Sequence, residues 1–298
     1  MRLAMRTGRG QPYRSGLPRE YSVKGGRVTI VRKWSSLAAL GSVFSASAIA
    51  DCPPPVSVSE MDVYPSAESV PANLLRFYLY FPRSMGREIS ASDIRLVKSD
   101  GSEISQAFLP MRYELWSSDR RRLTLILDPG RVKTGLSSHD MRGRALVVGE
   151  NFALQVSRTL KDSDGCDLGA DLSFGFSVLP ASLKPLLPQT WSIEVPASGT
   201  RAALKLDLGH PHDHLSMAYR IRIQTEDGQP IAGEVKLAEE ESVWVFVPRD
   251  NWSPVEHKII IDERLEDLAG NRPGVPFDRK IDAPQKNEVR ELTFVPRY

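Results

Sequence analysis

Ile94-Arg-Leu-Val-Lys-Ser-Asp-Gly101 is a segment whose pattern occurs twice in this chain. Its apolar residues alternate with basic ones, which is the period of a β-strand with one buried face. The Asp-Gly pair that follows is typical of the tight turn that reverses a hairpin. The pattern returns as Tyr219-Arg-Ile-Arg-Ile-Gln-Thr-Glu-Asp-Gly228. A strand and turn that occur twice predict two copies of one β domain.

Further short runs with a period of two surround both copies, and no long amphipathic helix is evident. They comprise residues 74–81, 122–128, 152–157 and 172–178, then 191–195, 203–208, 234–237, 243–247 and 257–262. Short strands at this spacing, with turn residues between them, are typical of sandwiches. The sequence therefore predicts an all-β protein with two tandem β-sandwich domains.

Composition divides the chain into five segments. Residues 1–50 form an N-terminal extension and signal peptide, residues 51–180 the first domain, and residues 191–284 the second. Residues 181–190 between them form a proline-rich linker, which its composition predicts to be stiff and extended. Residues 285–298 form a C-terminal tail or one more edge strand.

The signal peptide is predicted from its charge and its end. Residues 1–33 carry nine basic side chains and one acid, and the uncharged stretch after them closes on Ala48-Ile49-Ala50. This order is that of a secretory signal cleaved after Ala50, and it predicts a periplasmic or secreted product. Two alternatives concern its length: a long basic region, or a true start at Val28 or Val31. A buried apolar helix is the other interpretation of the stretch.

Cleavage after Ala50 changes the charge of the protein. Lys plus Arg falls from 39 to 30 and Asp plus Glu from 37 to 36, so a net charge of +2 becomes −6. An acidic protein lacks the field that attracts nucleic acid, so no nucleic-acid partner is expected. No apolar run after the signal is long enough to span a bilayer, so no integral membrane segment is expected in the mature chain.

Both cysteines, Cys52 and Cys166, lie after the cleavage site. In an oxidising compartment such a pair is predicted to form a disulfide, with two free thiols as the alternative. Cys52 also raises the alternative of a lipid anchor, but the preceding Asp51 is a poor match to a lipidation site.

Three stretches of the chain resemble a known family. Pro71-Ala-Asn-Leu-Leu-Arg-Phe-Tyr-Leu-Tyr-Phe-Pro-Arg-Ser-Met85 is similar to the opening of the bacterial Ig-like domains of surface-layer and other exported proteins. Leu265-Glu-Asp-Leu-Ala-Gly-Asn271 with Pro276-Phe277 is similar to the closing motif of those domains. Leu127-Asp-Pro-Gly-Arg-Val-Lys-Thr-Gly-Leu136 is similar to a loop in two-domain exported members of unassigned function. The resemblance covers residues 60–284 and implies that the two tandem β-sandwich domains are immunoglobulin-like, but it implies no activity.

The closing motif has a structural explanation. Asp267 is expected to accept hydrogen bonds from backbone amides two residues on, while Gly270 and Asn271 tolerate positive φ. In the first copy, Leu160-Lys-Asp-Ser-Asp-Gly-Cys166, a cysteine stands where the family has Asn or a small residue. That departure fits a disulfide added to the plain fold. The acids of this turn also suggest calcium, but they do not match an EF-hand.

Gly209-His-Pro-His-Asp-His214 is the candidate metal site. His210, His212, His214 and Asp213 are ligand types for zinc or copper, and alternating residues of an extended segment point the same way. Pro211 disturbs that alternation, and the usual zinc spacings are absent. The alternative is a structural role, as a solvated loop in which Asp213 caps a helical turn over Leu215-Ser-Met-Ala218.

No nucleophile elbow, metalloprotease helix, phosphate-binding loop or dinucleotide fingerprint occurs in the chain. The sequence therefore predicts a protein that is not an enzyme and carries no cofactor. Its leading function is a structural or binding module that contacts another envelope protein or a glycan. The alternative is a periplasmic metal-binding protein that uses residues 210–214.

Overall fold

The structure, a computed structural model, describes residues 52–110, 115–133, 142–278 and 290–297. The predicted signal peptide and its cleavage site lie outside these residues. Fourteen strands are present in the described part of the chain: β1 (Asp62–Tyr64), β2 (Ser69–Pro71), β3 (Arg76–Tyr80), β4 (Ile94–Lys98), β5 (Arg122–Ile126), β6 (Asn151–Val156), β7 (Leu172–Leu179), β8 (Ser192–Glu194), β9 (Leu204–Asp207), β10 (Ile221–Thr225), β11 (Gly233–Ala238), β12 (Val243–Pro248), β13 (His257–Ile261) and β14 (Glu291–Phe294).

Seven strands form the first sandwich. One sheet has the order β1-β3-β5 and the other the order β2-β7-β6-β4. All pairs are antiparallel except β2 with β7, which run parallel. The inward faces alternate with outward ones along each strand, so that Leu79 of β3 lies opposite Leu123 of β5 in the core.

The second sandwich repeats this connectivity. Its sheets have the orders β8-β9-β12-β11 and β10-β13-β14, and all their named pairs are antiparallel. The parallel edge pair of the first sandwich has a counterpart in the parallel bridge between Ala197 and Arg297. The predicted all-β fold of two immunoglobulin-like sandwiches is confirmed.

Each sandwich has its own hydrophobic core. Leu79, Leu123 and Leu154 are among the fully buried residues of the first core, and Trp244 and Ile259 are among those of the second. Both cores nevertheless belong to one compact unit that spans residues 50–298.

Helices are few and short. Those that lie wholly in the described segments are α1 (Pro129–Val132), α2 (His214–Arg220) and two 3-10 turns, Val58–Glu60 and Pro188–Thr190. Asp213 accepts a hydrogen bond from the Ser216 amide at 2.9 Å and so caps α2. The prediction of a solvated loop here is wrong, because His212 and Asp213 are buried. Within the described ranges, no helix has the length and apolar character needed to cross a membrane.

The repeated turns share their hydrogen bonds. After β4 the Gly101 amide bonds to the Lys98 carbonyl, and after β10 the Gly228 amide bonds to the Thr225 carbonyl. Gly101 and Gly228 have φ values of 84° and 87°, which glycine adopts without steric cost. The repeat inferred from sequence is thus a repeat of structure.

Residues 181–190, predicted as a stiff and extended proline-rich linker, contact the second sandwich through Leu186. Leu186 lies in the second core with 2% of its surface exposed, and its amide bonds to the Arg272 carbonyl. Val56 occupies the corresponding place before the first sandwich, in the first core, with its amide on the Leu168 carbonyl. The proline-rich stretch therefore precedes the second sandwich as the segment that ends at Val56 precedes the first. Each of these two segments is called the lead-in of its sandwich.

Candidate functional site

The candidate site lies at the junction of the two sandwiches, where an outward sheet face is covered. Along β3, Phe77 and Leu79 point into the first core, so Arg76 and Tyr78 point the other way. Tyr78 is nevertheless only 3% exposed. The beginning of α2 and the turn around Glu266 cover this face, as the contacts of Arg76 and Tyr78 show.

Asp213 joins the sandwiches. Besides capping α2, its carboxylate accepts a hydrogen bond from the Tyr78 hydroxyl at 2.8 Å, and the Arg76 Nε atom lies 3.5 Å away. Burial raises the pKa of Asp213, while the positive charge of Arg76 opposes that rise. The carboxylate that begins a helix in one sandwich is therefore also the acceptor for the other.

Arg76 reaches a second carboxylate, that of Glu266. Glu266 also accepts a hydrogen bond from the Nε atom of Arg272 at 2.9 Å, so it lies between two guanidinium groups. Burial opposes the charge on Arg76, but Asp213, Tyr78 and Glu266 together raise its pKa. Each of these carboxylates therefore lies beside a guanidinium group, which offsets the cost of burying its charge.

Glu241 makes a separate contact across the junction. Its carboxylate oxygens accept hydrogen bonds from the amide and the hydroxyl of Ser66, both at 2.8 Å. Glu239, Glu240 and Glu241 all have positive φ, between 49° and 60°, which costs energy in residues other than glycine. Glu241 is 3% exposed, and burial raises its pKa.

The three histidines of the candidate metal site do not converge. The His210 ring is exposed and lies 4.6 Å from the ring of His212, whereas His214 stacks on Tyr64 of the first sandwich at 3.5 Å. Asp213 is engaged with Tyr78. Across residues 52–110, 115–133, 142–278 and 290–297, no group of three or more His, Cys, Asp or Glu side chains is placed to hold a metal ion.

His212 is a buried residue of the second sandwich. It has no exposed surface, its Nδ1 atom lies 2.8 Å from the His210 carbonyl, and its ring meets Trp191 edge to face. Burial lowers its pKa to about 3, and burial lowers that of His214 to about 4. Both rings are therefore neutral at physiological pH.

The closing motif forms a tight turn around Asp267. One oxygen of Asp267 accepts hydrogen bonds from the amides of Ala269 and Asn271, and Gly270 has a φ of 77°. Asn271 also donates from its amide group to the Ser182 carbonyl at 3.1 Å and to Asp267 at 2.8 Å. The turn thus holds the lead-in of its own sandwich.

A disulfide joins Cys52 to Cys166, as the sequence predicts. Cys166 stands in the first sandwich where Asn271 stands in the second, after a turn in which Asp162 accepts from the amides of Asp164 and Cys166. It therefore holds the lead-in of the first sandwich covalently.

An apolar groove of about 770 Å³ opens beside this junction. Its walls include Leu179, Leu183 and Leu187, and Trp191 and Leu208 form part of its floor. Its polar lining residues are Ser69, Ser182, Lys184, Thr190, His210 and Asp267. Its size and mostly apolar lining match those of ligand-binding clefts, which occur preferentially between domains.

Sequence reasoning missed Arg76, Tyr78, Glu241 and Ser66. A signal was available for two of them: Arg76 and Tyr78 occupy the outward positions of β3. A large aromatic residue at such a position indicates a covered sheet face. Nothing in the local sequence marks Glu241, because its partner is 175 residues away.

No protein-family model matches this chain, and no curated protein has significant sequence similarity to it. Among solved structures, the chain is similar to an immunoglobulin-domain pair from the complex of Dpr2 Ig1-Ig2 with DIP-Theta Ig1-Ig3. The match covers 82% of this chain and 98% of that one, with 9% identity and a TM-score of 0.22. We therefore base the fold on the strand pairing of this chain.

Proposed function

We propose that this protein is a non-enzymatic exported module that holds two immunoglobulin-like sandwiches in a fixed arrangement and binds another component of the cell envelope, a protein or a glycan. The observation that carries this proposal is the junction. Buried contacts of Asp213, Glu241 and Arg76 fix the sandwiches relative to each other, and a groove opens where they meet. A rigid scaffold that presents such a surface suits recognition.

Export is part of the proposal. The Cys52–Cys166 disulfide supports an oxidising compartment, and the basic, apolar and Ala-x-Ala order of residues 1–50 supports a cleaved signal. The resemblance to exported bacterial Ig-like domains points the same way. A periplasmic or secreted protein that begins at Asp51 is the expected product.

Site-specific photo-crosslinking in the exporting cell tests this function. A photoreactive residue would replace Leu183 in the groove, Val58 near the N-terminus or Val255 between β12 and β13, all of which are exposed. We expect one surface to cross-link a defined envelope protein or glycan. The intact mass of the recovered protein should begin at Asp51 and rise by two daltons after reduction.

Two results would overturn the proposal. One is protein that keeps residues 1–50 and carries free thiols in the cytoplasm. The other is oxidised, processed protein that cross-links to no envelope component from any of the three positions.

A further inference from the structure

Exposed leucines cluster in the groove at the junction. Leu179, Leu183 and Leu187 are 50%, 53% and 38% exposed, and all three line it. Val147 and Val148 are also exposed, and the hydrogen bond from the Gly149 amide to the Val178 carbonyl holds their turn beside the end of β7. Grouped exposed apolar side chains mark interaction surfaces, whereas scattered ones do not.

The groove is concave and has a firm floor. Trp191 and Leu208 belong to the second core and are 9% and 3% exposed. Asp267, the acidic member of the lining, is already occupied by the amides of Ala269 and Asn271 and by the side chain of Asn271. An occupant therefore meets a preformed apolar surface.

The charge on the rim of the groove indicates which charged group an occupant carries. Lys184 is exposed on the rim and forms no ion pair or hydrogen bond with any residue that the structure describes. The backbone groups of Leu183 likewise form no hydrogen bond within that part of the chain, so the rim has main-chain donors and acceptors to offer. An acidic side chain beside apolar ones complements this rim.

A second copy of the chain is a poor fit. Two concave grooves do not fill each other, and a two-fold axis through them would bring two Lys184 side chains together. A single alkyl chain is also a poor fit, because it offers nothing to the free backbone groups of Leu183 and leaves the exposed leucines partly in water. An extended peptide can cover the exposed leucines, pair with Lys184 and bond to the backbone groups of Leu183.

We propose that the groove formed by Leu179, Leu183, Leu187, Trp191 and Leu208 docks an extended apolar peptide segment of a partner protein, with an acidic side chain paired to Lys184. This inference rests on the proposed function as a binding module and names the chemistry of its partner.

Selection from a random twelve-residue peptide display library on the purified, oxidised protein tests the inference. We expect enriched peptides with two or more large apolar residues next to an acid. Leu183→Asp should weaken their binding at least tenfold. Val58→Asp, which places the same charge at an exposed valine elsewhere, should leave binding unchanged.

A charge exchange tests the role of Lys184. Lys184→Glu should weaken the selected peptides about two- to fivefold, the range of an exposed ion pair, and a peptide with lysine in place of its acid should recover binding to that variant. Both substitutions are at exposed positions, so the denaturant midpoint of each variant should match that of the wild type.

Three results would overturn the docking proposal. They are peptides that bind equally well after Leu183→Asp, a protein whose dimer is disrupted by Leu183→Asp, and binding of palmitate but of no peptide. Any of them leaves the proposed envelope function standing if cross-links still form. Failure of cross-linking from all three positions, in contrast, would remove the function itself.

Discussion

Each of the two closing turns of this protein holds the lead-in of its own sandwich, but the two turns do so with different bonds. In each, a buried aspartate, Asp162 or Asp267, accepts hydrogen bonds from two backbone amides of the turn. The residue four positions later then holds the lead-in of its sandwich. Cys166 does so through a disulfide to Cys52, and Asn271 through hydrogen bonds to Ser182.

The difference follows from what each lead-in is attached to. The segment before Val56 is held by few other contacts, and a covalent bond restricts it most effectively. Ser182 is held from both sides, because Asn73 of the first sandwich also bonds to its amide and carbonyl. A side-chain amide is therefore sufficient in the second copy, and the same contact helps to fix the junction.

Removal of the disulfide should have the largest effect. Cys52→Ala with Cys166→Ala opens a loop of 114 residues and should lower the free energy of unfolding by about 4 kcal/mol. Asn271→Ala removes only hydrogen bonds and should cost about 2 kcal/mol. Urea unfolding of the three proteins measures both values. A larger loss in the Asn271 variant would show that the covalent anchor is the lesser one.

Loss of the turn aspartates should come next. Asp267→Ala leaves the amides of Ala269 and Asn271 and the side chain of Asn271 without their acceptor, which should cost about 3 kcal/mol. Asp162→Ala should cost about 2 kcal/mol, because the disulfide still holds the neighbouring Cys166. Urea unfolding checks the order, and Asp267→Asn is the control that keeps one acceptor oxygen. Equal losses in the two alanine variants would contradict the argument.

Much of this architecture could be predicted from sequence. The strand at residues 94–98 has the expected bounds, because apolar and basic residues largely alternate along it and Asp100-Gly101 ends it. The strands β1 and β2 were not predicted, since three residues are too few to show a period. The junction was not predicted either, because the contacts of Asp213 and Glu241 with the first sandwich join residues far apart in sequence.

His212 shows why local patterns misled. Three histidines in alternation suggested a metal site, but His212 forms a bridge with Asp267 as Met85 does with Asp162. Both His212 and Met85 are fully buried. Alignment of the two copies by structure makes His212 a core residue in the place of a methionine, which the spacing of histidines alone could not reveal.

The substitution His212→Met tests the equivalence of His212 and Met85 through the pH dependence of stability. The pKa of His212 is lowered to about 3, so between pH 6.5 and 3 the unfolded chain binds a proton that the folded chain does not. The histidine therefore destabilises the fold as pH falls below 6.5, by about 2 kcal/mol at pH 5. The variant should be more stable than the wild type by about that amount at pH 5.

Unfolding at pH 7.5 and pH 5 is the measurement. Asp213, Glu241, Asp267 and His214 titrate in both proteins, so the difference between the two isolates His212. Acid destabilisation that is unchanged in His212→Met would assign the effect to those other groups. His214→Phe, which preserves a ring on Tyr64, then tests the second histidine, whose pKa is lowered to about 4.

The smallest predicted effect on stability comes from replacing the Cys52–Cys166 disulfide with side chains like those that hydrogen-bond in the second turn. Cys52→Ser with Cys166→Asn gives the first turn the residue types that the second turn has at Ser182 and Asn271. Because the backbone hydrogen bonds of the two turns match, the introduced asparagine should reach the lead-in and recover about 1 kcal/mol relative to the double alanine variant. Urea unfolding compares the two variants. If the free energy of unfolding does not recover, Ser182 is held mainly by Asn73, and the anchor of the second sandwich depends on the first sandwich. The two turns would then be equivalent in their backbone hydrogen bonds but not in how they hold the preceding segment.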